Sequence, residues 1–229
     1  MGMKGIFTTG TDTNIGKTWI ATQLIQELGK QGFNVTPRKP VESGWRSDLQ
    51  ENDAWKLANA ANKTDQLDSI CPNRFPHAMS PHRAANMENQ QLTIQTLAEQ
   101  CTYPQKNNDF VFIEGAGGFY SPLAQDGLNS DLAQVLGLPV LLVAENRLGC
   151  INQVLLSTQA IKAASLQTAL VVLNNNTAKT EEEELICQSN REDLSLLLDC
   201  PVMSLGFNET SKAVLTQIAG LISTNLQSV

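Results

Sequence analysis

Apolar positions along the chain follow two rhythms that take turns. Continuous apolar runs at Gly5 to Thr9, Phe110 to Ile113, Pro139 to Ala144, Thr168 to Leu173 and Val202 to Leu205 have the length of strands buried on both faces, and Phe33 to Thr36 reads as a further short strand. Between them Ala21, Leu24, Ile25 and Leu28 recur at i, i+3, i+4 and i+7, one face of a helix that stops near Gly32. Further helices are expected over Asn52 to Asn62, starting at Asp53, over Leu92 to Cys101, after Leu148 to Asn152, from Glu181 onward, and over Ser211 to Thr224 with Val214, Ile218 and Leu221 on one side. The run of four glutamates at Glu181 to Glu184 suits the positive end of a helix dipole and reads as a solvated face. Strand and helix alternate without a repeat period, so the expected fold is α/β, a doubly wound, mostly parallel sheet with helices on both faces.

Two polar segments interrupt this rhythm. In PRKPVESGW, Pro37 and Pro40 are expected to stop both strand and helix, which puts Lys39 and Ser43 on a loop leaving a strand end, the side of a parallel sheet where ligands bind. Cys71 to Pro81, rich in Pro, Asn and His, reads as an irregular loop. His77 and His82 show no metal-ligand spacing and read as packing or hydrogen-bonding residues.

The candidate chemistry begins where the first strand meets the first helix. Thr8 to Thr18, TTGTDTNIGKT, reads as a phosphate-binding loop: the unpaired N–H groups of the first helical turn attract an anion, Lys17 can reach the outer phosphates, and Thr18 offers a hydroxyl to magnesium. The usual G-x-x-x-x-G-K-[ST] spacing would place its first glycine at residue 11, but the glycine is Gly10, so this is a one-residue variant on a P-loop NTPase-like fold. A second candidate is Glu114, at the end of a buried strand and followed by Gly115, Ala116, Gly117 and Gly118; a carboxylate there can hold magnesium while small residues let the backbone approach a nucleotide. Gly149, Cys150, Ile151 and Asn152 open a helix whose N–H groups could take another anion. Asn174, Asn175 and Asn176 end a strand, where an amide could pair with an adenine edge or form a plain turn.

Composition narrows the partners. A formal net charge of −7 over 229 residues argues against a nucleic acid duplex or an anionic membrane, since phosphate neutralisation needs a basic face, and favours a small ligand. The cysteines at 71, 101, 150, 187 and 200 are scattered and never form C-x-x-C, which suits reduced thiols in a cytoplasmic protein. No apolar run approaches membrane-spanning length, and nothing resembles a linker, so residues 1–229 are expected to form one domain.

In order, GTDTNIGKT, RKPVESGW, the Asp of ENDAWKLA, SPHRAA, IEGAGGFYSPL, RLGCIN and VLNN closely resemble the dethiobiotin synthetase family, from the first strand to about Asn175. That resemblance implies an ATP-dependent ligase of biotin biosynthesis. Such an enzyme closes the ureido ring of dethiobiotin from 7,8-diaminopelargonic acid, carbon dioxide and MgATP. It would put the ATP phosphates on Asn14, Ile15, Gly16, Lys17 and Thr18, beside Gly115 to Gly117, and the adenine near Asn174 and Asn175. Magnesium would fall on Thr18, Asp53 and Glu114. Lys39 would be the catalytic lysine, with Lys17 bridging phosphate and carbamate. Thr11 and Ser43 would hold the diamine, and Gly149, Cys150, Ile151 and Asn152 its distant carboxylate, in the family across a homodimer interface. Two departures stand out: Asn14 replaces a usually acidic residue, and Ser204-Leu205-Gly206-Phe207 replaces the family's G-x-I-P segment. A nucleotide-switched partitioning ATPase shares such a deviant loop, but usually with a second lysine early in it, where this chain has Gly10, Thr11, Asp12 and Thr13.

Overall fold

The computed structural model describes residues 3–207 and 212–225. In chain order it holds β1 (Gly5–Gly10), α1 (Lys17–Lys30), β2 (Asn34–Arg38), β3 (Val41–Ser43), α2 (Asp53–Ala60), α3 (Leu67–Ile70), β4 (Asn73–Phe75), α4 (Pro81–Met87) and α5 (Ile94–Cys101). There follow β5 (Asp109–Gly118), β6 (Pro122–Ala124), β7 (Gly127–Leu128), α6 (Asn129–Leu136), β8 (Val140–Glu145), α7 (Cys150–Ala163), β9 (Thr168–Asn174), α8 (Glu181–Leu197), β10 (Val202–Leu205) and α9 (Lys212–Asn225).

Six strands form one sheet in the order β10-β9-β8-β1-β5-β2, and every pairing in it is parallel. The chain runs outward from β1 to the edge strand β2, returns with β5, then passes to the other side of β1 and proceeds through β8 to β10. That reversal of direction is the crevice where ligands of open α/β sheets collect.

The continuous apolar runs have a simple origin. Phe110 and Phe112 of β5 join Ile6, Leu24, Ile25 and Leu28 in a layer roofed by α1 and α9. Val111 and Ile113, one residue out of step, join Phe7, Leu97, Leu132 and Val154 in the opposite layer under α5, α6 and α7. Successive side chains of each strand thus feed opposite cores, and neither face is left polar.

The expected elements are found, joined by α3, α4, α6 and the β6–β7 pair, which the apolar pattern did not announce, and the expected ones differ in detail. β2 runs through Pro37 to Arg38 rather than stopping before it, because it is an edge strand with neighbours on one side only and a missing N–H is tolerated there. Val41–Ser43 and Asn73–Phe75, both expected as loop, pair as a two-stranded parallel ribbon, and His82 lies within α4. β5 does not end at Ile113 but continues through the glycine run to Gly118. The buried side of α9 is Leu215, Ile218, Ala219 and Ile222, with Val214 and Leu221 at its margin; Ser211 lies outside the described residues. Elsewhere α8 opens as its glutamates suggest, with Thr180 and Glu183 capping each other's backbone N–H.

Phe112 is fully buried at the centre of the sheet. Phe112→Ala should therefore lower the unfolding free energy by about 3–5 kcal/mol in a urea titration, and a loss under about 1 kcal/mol would contradict this packing.

Candidate active site

The loop between β1 and α1 is built from backbone that most residues avoid. Gly16 caps α1 at φ 92° and Asn14 sits at φ 56°. A Cβ on Gly16 would lie 2.2 Å from Nδ2 of Asn174. That amide donates to the carbonyl of Ile15 at 3.0 Å and also to Oδ1 of Asn176, while Asn176 Nδ2 donates to the carbonyl of Asn14 at 3.4 Å. Asparagines at the end of β9 thus hold the outer wall of the loop, and the N–H of Thr11 donating to Val143 holds its inner wall. No side chain caps α1 and no acidic residue occupies its first turn, so its leading N–H groups face outward for an anion.

Glu114 is the centre of the site. It is 1% exposed, past the middle of β5 where the apolar run gives way to the glycines. Its Oε1 accepts from the Thr18 hydroxyl at 2.9 Å and from Lys39 Nζ at 2.6 Å, and its Oε2 is buried without a partner. Lys39 Nζ also lies 3.8 Å from Asp53 Oδ2. Burial works against a charged Lys39, but Glu114, Asp53 and Glu42 together outweigh it and hold its pKa above the usual lysine value. Lys17 differs. Burial, reinforced by the nearby Lys39, lowers it to about 8 against the pull of Glu114, and its Nζ donates to the carbonyl of Asp12 at 2.8 Å.

These groups open onto a cleft of about 680 Å³. Of the residues picked out in the sequence, Asn14, Gly16, Lys17, Thr18, Lys39, Ser43, Asp53, Glu114, Gly115, Ala116 and Gly117 line it. Ile15 is buried beneath the loop. Thr11 keeps a buried hydroxyl without a partner, as does the side-chain oxygen of Asn175. Asn175 also donates its N–H to Leu205, so the altered segment from Ser204 lies beside the end of β9. Gly149 to Asn152 begin α7 after β8 and do not line the cleft; Gly149, at φ 87°, caps that helix without a side-chain bond. The cleft also takes in Trp19, Thr22 and Gln26 from α1 and Trp55 and Asn59 from α2, which the sequence reading missed. Their spacings of three and four are visible in the sequence but look like ordinary exposed helix stripes.

The donor set fits magnesium carried in with a nucleotide. A hydroxyl and two carboxylates converge at Thr18, Glu114 and Asp53, and Glu114 has an oxygen to spare. Among the described residues no group of three His, Cys, Asp or Glu side chains forms a metal cage, and no helix is long and apolar enough to cross a membrane.

A family model described as an AAA domain matches residues 4–205. An ATP-dependent dethiobiotin synthetase from Nitrosospira multiformis is 36% identical over 210 residues, covering 90% of this chain and 89% of that protein. One from Ruthia magnifica is 38% identical over 175 residues, covering 75% and 80%. The chain belongs to the ATP-dependent dethiobiotin synthetase family. A dethiobiotin synthetase is an ATP-dependent ligase, in keeping with a phosphate loop that lies beside two lysines. Among solved structures, pNOB8 ParA bound to nonspecific DNA covers 99% of this chain and 99% of its own, at 10% identity and a TM-score of 0.57. A putative plasmid partition protein from Borrelia burgdorferi has a TM-score of 0.56, also at 10% identity, covering 100% of both chains. Both likenesses are of fold alone, and the dethiobiotin synthetase relatives carry the function.

Gly16→Ala combines a strained φ with a collision against Asn174. It should weaken ATP binding at least about fivefold, from the roughly 1–3 kcal/mol of strain such a conformation costs, measured by calorimetry. Wild-type affinity would show that the loop does not hold the nucleotide in this conformation.

Proposed function

We propose that the cleft around Glu114 is where this dethiobiotin synthetase closes its ring, with the chain acting as a single domain over 1–229. One amine of 7,8-diaminopelargonic acid adds to carbon dioxide and loses a proton to give a carbamate. The carbamate oxygen attacks the γ-phosphoryl group of ATP, breaking its bond to the β-phosphate oxygen and releasing ADP, to give a carbamic-phosphoric anhydride. The second amine then displaces phosphate, closing the ureido ring. Each step concentrates negative charge on oxygen, so fixed positive charge supplies most of the acceleration.

The observation that carries the reading is the meeting of Lys39 and Thr18 at the buried carboxylate of Glu114, with Asp53 3.8 Å from Lys39. Lys39, kept charged there, would face the carbamate and the γ-phosphoryl oxygens. Lys17 rests on a backbone carbonyl, without a carboxylate in hydrogen-bonding contact, and would exchange that carbonyl for phosphate oxygens. The free N–H groups from Asn14 to Thr18 would cradle the phosphates, alongside Gly115 to Gly117. Magnesium on Thr18, Asp53 and Glu114 would neutralise the outer phosphates and orient them for transfer. Ser43, on the rim of the cleft, and Thr11, behind the loop, would hold the diamine. Asn175, with a free side-chain oxygen, would meet the adenine beside Asn174. Gly149 to Asn152 lie off the cleft, which supports the reading that they receive the substrate's carboxylate from a second subunit of a homodimer. A cytoplasmic protein without nucleic acid or membrane partners agrees with its charge and its thiols.

Purified protein given MgATP, bicarbonate and diaminopelargonic acid should yield dethiobiotin by mass, and chelation of magnesium should stop it. ATP turnover indifferent to the diamine would instead favour a nucleotide switch. Lys39→Ala should keep ATP affinity but lose at least about a hundredfold in turnover, the scale of one transition-state charge. Lys17→Ala should impair both nucleotide binding and rate, and undiminished ATP binding would remove it from the phosphate site.

A further inference from the structure

The start of α2 carries Asp53, and something must hold it still. The first N–H groups of a helix have no partner within it, and the residue just before usually caps them with its own side chain. Asn52 stands there but does not do so. Its amide donates to the carbonyls of Arg46, Asp48 and Leu49 and accepts from the Arg46 N–H, closing the preceding turn. The cap comes from another element. Glu42 of β3, buried with its neighbours, accepts from the N–H of Asp53 through Oε1 and from the N–H of Ala54 through Oε2, both at 2.8 Å.

Resting on the assignment of Asp53 and Glu114 to magnesium above, we propose that Glu42 is a positioning residue, whose carboxylate fixes the start of α2 and so sets where Asp53 presents its own carboxylate to the magnesium nucleotide. Two bonds to adjacent peptide groups leave the first turn neither tilt nor slide. Asp53 is contested: Lys39 lies 3.8 Å from one of its oxygens, buried in the site, and Lys56, half-exposed on the wall of the same cleft, 3.6 Å from the other. With its backbone gripped, Asp53 stays within reach of Lys39; without that grip Lys56 competes for it. The same grip constrains Lys39, three residues before Glu42 on one short segment. A neutral side chain would not serve as well, because glutamine offers one acceptor where two N–H groups need two.

The test uses the full chain carrying Glu42→Gln. In the ligand-free protein, hydrogen exchange at the amides of Asp53 and Ala54 should quicken about fivefold, the scale of a lost helix cap. In calorimetry, the gain in ATP affinity that magnesium brings should shrink about tenfold, as for other residues that orient metal ligands, while metal-free ATP binds as before. In turnover, kcat should fall with KM for the diamine unchanged, and excess magnesium should restore part of the loss. Should Glu42→Gln not fold, Glu42→Asp, which keeps the charge on a shorter arm, takes its place in the same measurements. Unaltered exchange and an unaltered magnesium gain overturn the proposal. Asp53→Asn separates the two levels: if it too keeps the full magnesium gain, the metal assignment falls and Glu42 with it, whereas if it loses the gain and Glu42→Gln does not, only the positioning role is lost.

Discussion

The site depends on one buried ion pair, Lys39 with Glu114. Neither charge could stand alone at that depth, because removing a carboxylate or an ammonium from water costs far more than a fold can spare unless a partner answers it. The order of the sheet makes the pair possible. β5 lies between β1 and β2, so the carboxylate of Glu114 on β5 has the phosphate loop on one side and the segment bearing Lys39 on the other. Thr18 reaches Glu114 from the first side and Lys39 from the second. A chain in which β2 paired directly with β1 would leave Glu114 outside this meeting.

The two lysines then differ in kind although Lys17 feels the charge of Lys39. Carboxylates surround Lys39 and keep it protonated, so it brings the cleft a fixed charge already matched by anions. Lys17 has burial working against it and a carbonyl for company. It is the cation with most to gain from a triphosphate. The acidic surplus of the whole chain does not contradict an anion-binding site, because what an incoming phosphate meets is this local arrangement and the amino end of α1 rather than the net charge.

Much of this was legible in the sequence because the strands are buried on both faces and the helices on one, so their periods survive in the pattern. The phosphate loop was legible from its flanks, and Glu114 from a carboxylate closing an apolar run. What the sequence obscured were features set by partners distant along the chain. Val41 to Ser43 is too short and too close to proline to look like a strand, and becomes one only because Asn73 to Phe75 passes beside it. Gly115 is held to glycine because the buried amide of Asn129 would be 2.5 Å from any Cβ there. The side chain of Asn174 holds the phosphate loop, a link that no spacing rule would find across 159 positions. Lys39, by contrast, stood out only through family resemblance, since a lysine between two prolines is by itself an unremarkable surface residue.

Pro37, which the edge strand accommodates, also limits what that strand can recruit. The outer border of a sheet is a row of donors and acceptors on which a foreign strand can assemble, and a ring nitrogen in that row interrupts it. Growth of the sheet by adding strands beyond β2 is discouraged at the border nearest Lys39.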